Sequence, residues 1–157
     1  MKSEWIQPIS KMTFGIYVLT TAHKETINGM IASWVSMTSY EPPLIMVAVH
    51  PNRYSHEILE QSGSFAINIL SRDQTGFLSR FKGPDPDAKF TGTDYRKGKT
   101  GSPIITDCIG YLECKIVEKY KPGNHTLFIG EIIECNLLKD QIPLSTLDYE
   151  GVYLGKN

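Results

Sequence analysis

Asn28-Gly29-Met30-Ile31-Ala32-Ser33-Trp34-Val35-Ser36, running on to Glu41-Pro42-Pro43-Leu44, is the stretch that decides how this chain is read. It reads as a strand, Met30 to Ser39, entered through an Asn-Gly turn and left through a Pro-Pro break. A strand that mixes Gly, Ala and Ser with a single Trp packs poorly, and its small side chains let another body lie close to the backbone. A flat aromatic ligand held by main-chain N–H and C=O groups suits such a surface.

Short strand signals separated by turn residues extend on both sides of it. Phe14 to Thr20 is apolar on both parities, as expected of a strand covered on both faces. Leu44 to Val49 follows the prolines as another strand. Arg53 to Gln61 has helical spacing, with Tyr54, Ile58 and Leu59 toward a core, and Ser62-Gly63 ends it. Phe65 to Leu70 is a strand, and Gln74 to Phe81 a second short helix with Phe77, Leu78 and Phe81 on one side. Lys82 to Pro103 carries Gly, Pro, Asp and Lys with little periodicity and reads as a long irregular segment. Ile109 to Tyr120 and Thr126 to Leu138 form a hairpin across Lys121-Pro122-Gly123-Asn124, and a short strand, Val152 to Leu154, follows. Mostly antiparallel strands with two short inserted helices make this a mainly β protein. A closed or partly closed barrel is expected, since closure removes vulnerable edges. With no repeat, low-complexity tract or dividing linker, one domain over residues 1–157 is expected.

The 41% apolar and 21% charged residues are those of a folded globular protein. A formal net charge of -1 leaves no basic footprint for nucleic acid. No apolar run approaches the roughly 18 residues of a membrane span, and the N-terminus lacks a signal pattern, so a cytoplasmic protein is expected. Three cysteines argue against a disulfide framework. Cys135 shares strand parity with Leu127, Ile129, Ile133 and Leu137, and Cys114 with Leu112 and Ile116, so both are expected as small core residues.

Several familiar motifs fail. Gly92 to Thr100, Gly-Thr-Asp-Tyr-Arg-Lys-Gly-Lys-Thr, is close to a nucleotide P-loop but has one residue too many before Gly-Lys-Thr, no apolar strand before it and no apolar-periodic helix after it. No Gly-x-Gly-x-x-Gly follows a strand. His23, His50, His56 and His125 lack zinc-type spacing with the cysteines, so no metal site is expected. No Ser or Cys sits in a nucleophile elbow.

His50-Pro51-Asn52-Arg53-Tyr54-Ser55-His56-Glu57 survives, because it sits where a strand ends and a helix begins. Orphan N–H groups and the positive end of the helix dipole make such a junction an anion site, to which Arg53 adds a forked cationic donor and Ser55 and His56 short hydrogen bonds. Taken alone the segment also reads as a helix cap, with Asn52 at the N-cap. Lys89, in the irregular segment, reads by composition as a solvated loop lysine. His125, beside a Gly-Asn turn, reads by itself as a surface or capping residue, and Trp34 as a core residue.

On these residues the chain resembles the flavin reductase-like, FMN-binding split-barrel family. The resemblance runs from Met12-Thr13-Phe14-Gly15-Ile16-Tyr17-Val18 to the final hairpin. It is most specific at Asn28 to Val35, at Glu41-Pro42-Pro43-Leu44, at Phe65-Ala66-Ile67-Asn68-Ile69-Leu70 and at His125-Thr126-Leu127-Phe128-Ile129-Gly130-Glu131-Ile132. Lys99-Thr100-Gly101-Ser102-Pro103 and Gly123-Asn124-His125-Thr126 are similar to the short archaeal ferric reductase type, and rubredoxin-fused flavin domains are also similar. The resemblance implies a homodimer of split barrels, each holding FMN near the subunit interface. It implies that Met30, Ile31, Ala32, Ser33, Trp34 and Val35 line the flavin ring. It places His50, Asn52, Arg53, Ser55 and His56 around the phosphate, with Lys89 approaching from the loop. It places His125 near the reactive face, as proton partner or as anchor for a nicotinamide phosphate. Val49 stands where the ferric reductase type carries a cysteine, and no rubredoxin-like Cys-x-x-Cys pair is present.

The function expected is an FMN-dependent oxidoreductase that passes electrons from NAD(P)H through FMN to free flavin, ferric chelate or another acceptor. The alternatives are a flavoredoxin-like electron carrier serving a rubredoxin-like or flavodiiron partner, and a binding module without redox chemistry.

Overall fold

In the computed structural model, which describes residues 2–149, the order of elements is α1 (Ser3–Ile9), β1 (Tyr17–His23), β2 (Thr26–Ala32), β3 (Val35–Ser39), β4 (Leu44–Val49), α2 (Tyr54–Ser62), β5 (Ser64–Ile69), α3 (Gly76–Lys82), α4 (Pro86–Phe90), β6 (Tyr95–Lys97), β7 (Pro103–Ile105), β8 (Gly110–Tyr120) and β9 (Thr126–Leu137), followed by a 3-10 turn, Thr146–Asp148. The strand expected at Val152 to Leu154 lies outside the described residues.

Seven strands form one antiparallel sheet in the order β2-β1-β5-β8-β9-β4-β3. Its two outermost strands, β2 and β3, are consecutive in the chain and only Ser33 and Trp34 lie between them. Three Cα–Cα steps reach at most about 11 Å, whereas the edges of a flat seven-stranded sheet stand about 29 Å apart. The sheet must therefore roll until its edges meet, with a seam between β2 and β3. This is a split barrel, and the mainly β class read from the strand pattern is what the chain adopts.

The interior is filled by Leu19, Ile45, Val47, Phe65, Ile67 and Phe128, and α2 adds Leu59. A second cluster lies outside the barrel, where Val18, Ala66 and Tyr111 on the sheet meet Leu78 and Phe81 of α3 and Ile104 and Ile105 of β7. β1 is thus covered on both faces, Leu19 inward and Val18 outward. Helix α2 stops at Gly63, whose φ of 66° lies in the left-handed region that a Cβ disfavours.

Several expectations are corrected. Asn28-Gly29 is no turn: both residues lie inside β2, and the chain reverses at Lys24, with a φ of 54°. Met30 to Ser39 is two strands on opposite edges, because Ser33 and Trp34 carry the chain across the seam. The body that lies close to Gly29 is Phe81, since a Cβ there would stand 2.6 Å from its ring. Lys82 to Pro103 is not structureless but holds α4, β6 and the first residue of β7. α1 buries none of its residues, so no periodicity announces it. Cys114 is buried as expected, but Cys135 is exposed: a register shift at Ile133 sets it opposite Leu112, near the end of β9 where the strand runs past the core.

The near P-loop segment is occupied by the chain itself. Thr100 donates to the buried carboxylate of Glu113 through its N–H (2.8 Å) and its hydroxyl (2.9 Å). A Cβ at Gly98 would collide with that carboxylate, and Lys99 pairs with Glu134. A protein acid sits where a phosphate would be cradled.

Because Phe81 fills the space over Gly29, Gly29→Ala is expected to lower unfolding stability by about 1–3 kcal/mol. Urea denaturation measures it, and an unchanged midpoint would show that the Phe81 ring shifts freely.

Candidate functional site

Among the described residues β2 is hydrogen-bonded to β1 alone, so one backbone edge of it carries no partner strand there. The Gly29 carbonyl accepts from Lys89 Nζ (3.0 Å) and therefore points to that edge. By the alternation of antiparallel pairing, the backbone groups of Ile31 point the same way, while those of Met30 and Ala32 pair with β1, and Ser33 follows where the strand ends. The side chains go elsewhere. Met30, Ala32 and Val35 pack into the barrel cluster and Ile31 against the outer one. Trp34, 39% exposed at the seam, is the one large side chain of the segment left open, and its carbonyl accepts from the Ala48 N–H (3.0 Å).

At one end of this edge stand cations. Arg53 occupies the N-cap of α2 with extended backbone and no side-chain cap, so the Asn52 cap does not form. The Asn52 N–H instead donates to His50 Nδ1 (3.1 Å). Lys89 is no solvated lysine: it is 6% exposed on α4, and its Nζ donates to Asn28 Oδ1 (3.1 Å) and to the Gly29 carbonyl. Asn28 Nδ2 in turn donates to Ser55 Oγ (2.9 Å), and both residues are buried. One polar chain thus ties α4, β2 and α2 together. Burial, and then the neighbouring Arg53 charge, hold the Lys89 ammonium below its usual range, with Asp85 opposing.

At the other end three rings meet. His125 lies 4.7 Å from Trp34 and 5.0 Å, edge to face, from His50. Its Nδ1 lies 2.8 Å from Asn124 Oδ1. Burial, then His50 and Arg53, push its pKa below the ordinary 6.5. His56 is turned into the fold, with Nε2 against Thr126 Oγ1 (2.8 Å) and its ring against Phe128 (5.2 Å). Burial lowers its pKa too, with Glu60 opposing and Lys121, Lys119 and His50 assisting.

The residues expected at the site are therefore brought to one end of the barrel, in two grades. Arg53, Lys89, His50, His125 and Trp34 converge on the open edge. Ser55 and His56 sit behind them as supports. Sequence reasoning missed Asn28, which joins Ser55 to Lys89, together with Asn124 and Thr126, which hold the two histidines. A polar Asn at a strand position facing a barrel interior was the available signal, hidden by the Asn-Gly pair. Among the described residues no group of three or more His, Cys, Asp or Glu is placed to hold a metal, and no helix is long and apolar enough to cross a membrane.

A split barrel whose open strand edge runs from paired cations to an aromatic and imidazole cluster is built for an elongated ligand with an anionic end and a flat polar ring. Residues 9–154 match the flavin reductase like domain, and the chain belongs to that family. It is 30% identical to the ferric-chelate reductase (NAD(P)H) of Archaeoglobus fulgidus over 96% of this chain and 92% of that protein. It is 29% identical to the high molecular weight rubredoxin of Moorella thermoacetica over 92% of this chain and 65% of that one. The fold superimposes on the NADH:FAD oxidoreductase SgcE6 of Streptomyces globisporus, solved with NAD and FAD fragments, with a TM-score of 0.84 and 26% identity, covering 90% of this chain and 86% of that one. The chain is a flavin reductase-like oxidoreductase.

His56 and His125 are expected to titrate below 6.5 in histidine NMR spectra of the folded protein. Between the depressed values and 6.5 the unfolded chain binds more protons, so their contribution to stability is complete above 6.5 and falls as the pH is lowered through that window. Midpoints at or above 6.5 would contradict the packing described.

Proposed function

We propose that the chain binds FMN along the open edge of β2 and carries electrons from NADH or NADPH to an acceptor such as free flavin or ferric chelate. The observation that carries this reading is the convergence of Arg53 and Lys89 beside an unpaired strand edge. Burial and then the Arg53 charge lower the proton affinity of Lys89, and a phosphate bound beside the two would favour its charged form. Bound flavin supplies hydride acceptance and electron delivery, and the protein supplies binding, orientation and electrostatics.

In this reading Arg53 and Lys89 hold the phosphate. Ser55 holds Asn28, which holds Lys89 in place. Asn52 keeps His50 against the site. The N–H groups of Ile31 and Ser33 donate to the polar edge of the ring, where negative charge develops on reduction. Met30, Ala32 and Val35 shape the strand from behind, and Trp34 closes one side. His56, through Thr126, fixes where β9 starts and so where His125 stands. A neutral His125 suits accepting or moving a proton better than holding a nicotinamide phosphate by charge.

The reading extends to a homodimer. Helices α2, α3 and α4 pack on β1 and β2, while the outward residues of β4 and β9, Met46, Ala48, Leu127 and Ile129 among them, form an apolar face on the other half of the barrel. A second copy covers that face. The three cysteines are free, which fits a reducing compartment such as the cytoplasm.

Anaerobic rapid mixing of the FMN-loaded protein with NADH and NADPH is expected to bleach the flavin absorbance. If neither nicotinamide reduces it and a rubredoxin-like protein does, the electron-carrier reading replaces this one. Arg53→Ala is expected to weaken FMN binding by about 1.5–3 kcal/mol, measured by fluorescence titration; unchanged affinity would return Arg53 to a role in the helix start. Ile129→Lys is expected to convert a dimer to a monomer in light scattering, and a dimer that persists would move the interface elsewhere.

A further inference from the structure

The ring cluster at the seam assigns His50 a task that cofactor contact does not cover. A backbone N–H can only donate, so the bond from Asn52 fixes His50 Nδ1 as an unprotonated acceptor and leaves its ring proton on Nε2. The His50 carbonyl accepts from the Arg53 N–H (2.9 Å), so main chain and ring are both pinned by the turn into α2. This immobilised ring stands edge to face against His125, at 84° and 5.0 Å. Trp34 stands 4.7 Å from the same imidazole at 47° and is itself anchored to β4 through its carbonyl. The Asn124 side-chain oxygen accepts from His125 Nδ1, which places the proton there and leaves Nε2 with its lone pair.

We propose that His50 is the positioning residue of His125: with Trp34 it clamps the imidazole in one orientation and one tautomer, Nδ1–H to Asn124, so that Nε2 alone is presented at the open edge of β2. The proposal rests on the reading that His125 serves the bound flavin and its electron donor. An imidazole able to turn about its Cβ–Cγ bond offers either nitrogen in either direction, and a displaced proton acceptor loses most of its effect. A clamp made of two rings removes that freedom without drawing a charge into the site. It also explains why a histidine stands at position 50: the ring must be flat and must accept the Asn52 N–H, and His does both.

The test has two arms. In histidine-labelled protein without flavin, observed well above the titration range, the ring nitrogens of His125 are expected to report a single Nδ1–H tautomer, and His50→Ala is expected to give a mixture. In the protein saturated with FMN, His50→Ala is expected to slow flavin reduction by NAD(P)H on the order of tenfold, a loss that further FMN does not restore. His50→Phe, which keeps the ring edge and loses the acceptor, recovers part of that loss and serves as the folded control. In a His125→Ala background, His50→Ala is expected to cost nothing more. An unchanged His125 tautomer in His50→Ala, or a loss that multiplies with that of His125→Ala, overturns the positioning role. A His125→Ala protein as fast as the wild type overturns the functional reading of His125, while the tautomer arm still decides whether the clamp exists.

Discussion

The link of two residues between the outermost strands of the sheet is the constraint on which the rest of this structure depends. Ser33 and Trp34 cannot bridge an open seven-stranded sheet, so the sheet closes around its core and leaves its seam where the link crosses. A fully closed barrel has no strand edge to offer. This one keeps an edge, on β2, and shields its ends with α2 and α4 rather than with another strand. The same crossing lifts Trp34 out of the interior and sets it against His125 at the start of β9. Closure, an available backbone edge and the ring cluster therefore have a common cause.

Charge is then placed with the same economy. Lys89 is buried, and its neutral partners, an amide oxygen and a backbone carbonyl, solvate its ammonium without neutralising it. Arg53 stands near enough to lower its proton affinity further. Burial and the Arg53 charge work against the charged form of Lys89, and Asp85 works for it. In the Gly98-Lys99-Thr100 segment, by contrast, protein carboxylates meet the donors: Thr100 donates to Glu113 and Lys99 pairs with Glu134.

Much of this was legible in the sequence where local rules and tertiary structure agree. The Gly63 stop, the β8–β9 hairpin and the apolar strands β1, β4 and β5 follow from turn chemistry and periodicity. Resemblance supplied the family, and the strand–helix junction at the start of α2 was visible from residue types. The failures share a physical origin in long-range packing. Asn28-Gly29 obeys a turn rule that is overridden because Asn28 reaches Ser55 and Lys89 and Gly29 makes room for Phe81. Lys89 looks solvated until α4 folds onto β2. Cys135 shares sequence parity with Leu127 and Ile129, but the register shift at Ile133 breaks that alternation, and a bulge leaves no mark in the sequence pattern.

Residue-resolved amide exchange with and without FMN decides whether the open edge of β2 holds the flavin through its main chain. Flavin held there slows exchange of the Ile31 and Ser33 N–H groups, while those of Met30 and Ala32, already bonded to β1, are protected in both states. FMN bound with the exchange of Ile31 and Ser33 unchanged would contradict this mode of binding.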